Sequence, residues 1–226
     1  MEILDHLHEN FTLCTGLLRH GTSVLNTRRL IKDAERKKNL NPIDRVNIIY
    51  GLLFDLTGSS SLVTETEHQM LEDVLIRWTK ELPNKQNGES NSVPMFIEIV
   101  CDSHTFDRHA FEEKALAALF DQIEKLSNED KFTALFEAAC RSPVHCLMKD
   151  EALERGIALA EKIIPDLQER RDFYKEAHIF VSKTPGPSSK YVRKEINIEL
   201  AKLEALLAPT KPPAKFKSPT ETALKS

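Results

Sequence analysis

Val63, Phe106, Met148 and Tyr191 recur along the chain at spacings of 43, 42 and 43 residues. Each follows a short polar loop and opens a charged run with helical spacing, and each loop follows a more apolar run. A unit of that length holds two helices and a turn, so the spacing predicts consecutive antiparallel hairpins. Seven glycines and 7% aromatic residues leave little material for a turn-rich β fold. The expected fold is all-α, with about ten helices stacked as an α-solenoid or gathered into a compact bundle.

Local signals divide the chain. Leu4, Leu7, Phe11, Cys14 and Leu18 mark one helix face, Gly21 ends it, and a second helix runs over about 24–38. Asn41-Pro42 places a cap before a proline at the first helical position, with Ile43, Val46, Tyr50 and Leu53 as the buried face. Thr64 and Glu67 form a capping box for the next helix, which carries Leu71, Val74, Leu75 and Trp78 and stops at Pro83. Residues 83–92 read as a surface loop.

A third pair starts at Pro94 and resumes at Asp107. Its run MFIEIV (95–100) suits a short strand as well as a helix. The fourth pair spans about 129–141 and 150–164, with Asn128 as a cap. The fifth runs from Pro165 to Lys183 and, after the loop 184–189, through Val192, Ile196, Leu200, Leu203 and Leu207. The hairpin domain is thus expected over 1–208. Residues 209–226, rich in Pro, Lys, Ser and Thr, have too little apolar surface to fold.

In period and hairpin form, residues 24–207 resemble HEAT-type repeats, although the signature Pro, Asp and Arg positions of that class are not evident. The resemblance implies an architecture that offers surfaces to partners.

A net charge of −4 gives no general attraction to nucleic acid, and no aromatic ladder accompanies the basic residues. The charge is uneven: the segment after Pro209 is +3 and the remainder −7. Four cysteines without a paired pattern suit a reducing, cytoplasmic setting. No stretch has the length and apolarity of a transmembrane helix, and the N-terminus does not read as a secretion signal. The tail's composition resembles the C-terminal signals of some bacterial type IV secretion substrates, and Ser218-Pro219 fits a phosphorylation site.

No Gly-rich phosphate loop, HExxH, GxSxG or CxxC motif is present. Glu65-x-x-His68 with Glu72 puts two carboxylates and an imidazole on one helix face. A ferritin-like di-metal site would need a second such set, and Asp5-x-x-His8 is the nearest. The competing reading is a solvated polar face. Cys101, His104 and His109 in one turn, and Cys140, His145 and Cys146 in the next, offer zinc ligands, because adjacent hairpin turns share an edge. The same residues would suit a cysteine–histidine nucleophile, and their bland reading is core thiols.

Two basic sets suit an acidic partner or phosphates: Arg29, Lys32 and Arg36, and Arg170 and Arg171 with Lys190, Arg193 and Lys194. Solvated faces balanced by Asp33, Glu35, Glu169 and Glu176 account for them equally. The expected function is a non-catalytic adaptor that binds a protein or peptide and needs no cofactor. The more charged second helices would face the partner. An exported helical effector and a metal- or thiol-dependent enzyme are the alternatives.

Overall fold

The computed structural model describes residues 24–36, 41–54, 64–82 and 92–208. Among these there are nine α-helices and no strand: α1 (Val24–Arg36), α2 (Pro42–Phe54), α3 (Glu65–Lys80), α4 (Ser92–Thr105), α5 (His109–Ile123), α6 (Asn128–Arg141), α7 (Leu147–Ile163), α8 (Leu167–Lys183) and α9 (Ser189–Leu207). The helix expected near the N-terminus, Asp5 and His8, residues 83–91 of the expected loop 83–92 and the tail 209–226 lie outside the described residues, whereas Ser92 is buried and already opens α4, two residues before Pro94.

The cap chemistry sets the helix starts. Thr64 Oγ1 accepts from the Glu67 N–H while Glu67 accepts from the Thr64 N–H at 2.9 Å, closing the expected box. Asn41 accepts from the Ile43 N–H at 3.3 Å, with Pro42 first in α2. Asp166 caps α8 through the N–H groups of Gln168 and Glu169, each at 2.9 Å. The cap of α6 is Ser127 instead of Asn128, which becomes the first helical residue.

The run MFIEIV is helical. Phe96, Ile97, Ile99 and Val100 are all fully buried, so α4 is a central helix, and its continuous apolarity reflects burial on most sides.

The closest helix pairs are α2 with α3, α4 with α5, α6 with α7 and α8 with α9, the expected hairpins. The other main contacts join neighbouring hairpins: α3 to α4 and α5, α6 to α4 and α5, and α6 to α8 and α9. α1 packs on α3, where Arg77 donates to Glu35 at 2.7 Å. One continuous core runs through the stack from Ile31 to Leu203. The arrangement is compatible with a helical repeat.

The recurring positions mark equivalent places in the chain, at or just before the second helix of a hairpin, but not equivalent environments. Met148 is fully buried, whereas Phe106 and Tyr191 are exposed. Val63 lies outside the described residues.

Candidate functional site

The turn between α4 and α5 organises the polar interior. The Asp107 N–H donates to the His104 carbonyl at 3.2 Å and the Arg108 N–H to the Ser103 carbonyl at 2.8 Å. This is a Schellman ending, and it requires a left-handed residue, supplied by Asp107 at φ 56°. The turn delivers His104, Arg108, His109 and Glu112 to one region from two helix ends.

Glu112 is the hub of one cluster. Its side chain is only 7% exposed. His104 Nδ1 lies 3.2 Å from both carboxylate oxygens, and the Cys146 thiol donates to Oε1 at 3.2 Å. His109 Nδ1 is 3.4 Å from Oε2. The ligand-capable atoms of His104, Glu112 and Cys146 lie within 4.8 Å of one another. Cys101 borders this cluster, its thiol donating to the Arg141 carbonyl at 3.5 Å.

Of the six residues read as zinc ligands, His104, His109 and Cys146 therefore gather on Glu112, with Cys101 beside them. Cys140 does not. It is buried beside the α8–α9 turn, and its carbonyl accepts from the Ser188 N–H at 3.1 Å. His145 is exposed on the α6–α7 turn.

Burial pushes the Cys101 thiol up to about 12 and those of Cys140 and Cys146 up to about 11. Thiols so shifted are protonated at neutral pH, the opposite of what an activated cysteine nucleophile needs.

A polar pocket of about 790 Å³ adjoins the cluster, with His109 on its wall and Glu65, His68, Glu72, Asp107 and Lys114 among its lining. Arg108 dominates it. The guanidinium donates to Glu72 at 3.1 Å, to His68 Nδ1 at 2.7 Å and to the Leu53 carbonyl at 3.5 Å, and lies 6.0 Å from the centre of the Phe54 ring.

Glu65-x-x-His68 and Glu72 do not make a solvated face: Glu65 is exposed, His68 half-buried and Glu72 buried. Where a metal ion would sit between His68 and Glu72, a guanidinium stands. Burial, then the Arg108 charge, holds the His68 pKa below the usual histidine value. An arginine only donates, so His68 Nδ1 is the acceptor nitrogen of a neutral ring. Burial raises the Glu72 pKa, against the pull of Arg108.

The two basic sets occupy separate surfaces, since no main helix contact joins α1 to α8 or α9. Arg29, Lys32 and Arg36 are exposed on α1, with Arg29 3.9 Å from Asp33. Arg170 is turned inward onto the end of α7, donating to the carbonyls of Ile164 at 2.8 Å and Pro165 at 3.3 Å. Arg171 donates to Asp172 at 3.0 Å. Lys190 and Lys194 are exposed on α9, and Arg193 is half-buried.

The sequence reading missed a groove of about 420 Å³ between α6 and α8. Phe132, Phe136, Phe173 and Phe180 form its floor and walls, and Glu129 and Glu176 stand on its rim. The Phe132 and Phe173 rings are 4.6 Å apart between centroids. The recurrence of Phe at 132 and 136, and at 173 and 180, was available as a signal, but such spacing also describes a core.

No protein-family model, curated protein or solved structure matches the chain. No described helix is long and apolar enough to cross a membrane.

Proposed function

We propose that the chain is a non-catalytic interaction module that seats a peptide in the groove between α6 and α8. The observation that carries this reading is the groove's composition: four phenylalanines under a rim of two carboxylates. Aromatic floors supply most of the energy where proteins meet, and rim charges select the partner. The matching ligand is a segment with one aromatic or large aliphatic anchor flanked by lysine or arginine. The expected partner surface thus moves from the charged second helices to two first helices. The raised thiol pKa values disfavour the cysteine–histidine nucleophile among the alternatives.

Residues 214–218, Ala-Lys-Phe-Lys-Ser, carry the matching chemistry, so a synthetic copy of 209–226 is a ready probe. Fluorescence anisotropy should show saturable binding to protein ending at Pro209, and weaker binding to the full chain if its own tail competes. Replacing the peptide's Phe216 by Ala, or making Glu129→Lys with Glu176→Lys in the protein, should weaken binding tenfold or more. Equal binding by all these forms, or none by any, overturns the reading.

A further inference from the structure

We propose that His104, Glu112 and Cys146 form a zinc site that clamps the α4–α5 hairpin to the α6–α7 hairpin, with His109 as its fourth ligand. Three features converge on it. The first is geometry: an imidazole nitrogen, a carboxylate oxygen and a sulfur lie within 4.8 Å of one another, drawn from the end of α4, the first turn of α5 and the α6–α7 turn.

The second is charge. Glu112 is buried, and the groups that touch it are two imidazoles and a thiol, none of them a fixed cation. The guanidinium of Arg108, four residues away, is spent on Glu72 and His68. A buried carboxylate is costly unless a positive charge or a full set of donors accompanies it. A divalent cation among His104, Glu112 and Cys146 supplies that charge.

The third is the ligand set. Nitrogen, sulfur and carboxylate oxygen together suit zinc, which takes four ligands in a tetrahedron. His109 Nδ1 is 3.4 Å from the second Glu112 oxygen, and its side chain is 70% exposed and so can swing onto the metal. On binding, a Zn–S bond forms, the Cys146 S–H bond breaks and its proton passes to solvent.

Full-length protein freed of metal by chelator and dialysis should take up one zinc per chain and release about one proton as it does so. Cobalt(II) in place of zinc should give a near-ultraviolet thiolate-to-metal charge-transfer band. Cys146→Ser should abolish that band and Cys140→Ser should leave it intact. Glu112→Gln should abolish stoichiometric uptake. His109→Ala should weaken binding while keeping the band.

Circular dichroism of each variant separates a lost ligand from a lost fold. If Cys146→Ser does not fold, the folded Glu112→Gln protein decides the question. Substoichiometric uptake by the native chain overturns the proposal. So does binding that survives unchanged in both Cys146→Ser and Glu112→Gln.

Discussion

Asp107 sits at φ 56°, a conformation in which an L-residue crowds its own carbonyl. Glycine is the usual occupant of that place in a Schellman ending, and aspartate tolerates it at a cost. Asp107→Gly should therefore raise stability by about 0.5–1 kcal/mol after allowing for the greater freedom of glycine in the unfolded chain. Thermal unfolding should move up by about 2 °C. A fall would mean that the Asp107 carboxylate, which lines the polar pocket, contributes more there than its backbone costs.

The same turn shows what single residues disclose in sequence. Glu112 precedes Leu116 by four and Leu119 by seven, so the periodicity places it on the buried face of α5. That signal was readable, but one carboxylate among many exposed ones draws no attention without a structure. Arg108 gave no such sign, because its partners come from the end of α2 and the first two turns of α3.

At the scale of elements, caps and breakers were the most legible features, because their chemistry is local. The Thr64–Glu67 box, the Asn41-Pro42 start and the hairpin partners all follow from short spacings. The strand alternative for 95–100 arose because a helix buried on most sides loses the periodicity that identifies it. Cys140 and Cys146 illustrate the opposite limit. Six residues apart, they face different neighbours, since α6 ends between them.

The α8–α9 loop shows how one element holds another. A Cβ built on Gly186 would lie 2.2 Å from the Cys140 carbonyl oxygen and 2.6 Å from its carbon, so only glycine fits against the end of α6. Ser188 completes the seat, its N–H donating to the Cys140 carbonyl at 3.1 Å and its hydroxyl to the Ser142 carbonyl at 2.8 Å. Gly186→Ala should cost about 3 kcal/mol, because the clash is with backbone and cannot be relieved by a rotamer change. Urea unfolding should show a lower midpoint. An unchanged midpoint would mean that the loop moves away from α6 at no cost.

Across the whole molecule, the buried polar ties between hairpins gather where the hairpin turns meet. Arg108 joins the α4–α5 turn to α2 and α3, Glu112 joins it to Cys146 on the α6–α7 turn, and Ser188 joins the α8–α9 turn to the end of α6. Tyr50 donates to Asp102, and the more exposed ion pairs of Lys80 with Asp121, Lys114 with Asp73 and Arg141 with Glu98 add to the apolar packing between neighbouring hairpins. A chain whose hairpins touch mainly their neighbours has a stability built from local units and the junctions between them. Breaking one tie should weaken one junction.

Arg108→Met tests this most directly. It strands the Glu72 carboxylate, whose side chain is 12% exposed, and should cost about 3 kcal/mol at pH 7. The Glu72 pKa is already raised by burial, and the variant removes the two opposing effects of Arg108, so it should rise further. A folded-state pKa above the unfolded one favours the fold below the unfolded value, and that benefit is lost as pH rises through the folded value. The penalty of Arg108→Met should accordingly shrink from pH 7 toward pH 5. Hydrogen exchange should show α2 and α3 opening at lower free energy while α8 and α9 keep their protection. A penalty equal at both pH values would assign the loss to packing against Phe54, and uniform loss of protection would show that the stack unfolds as one unit.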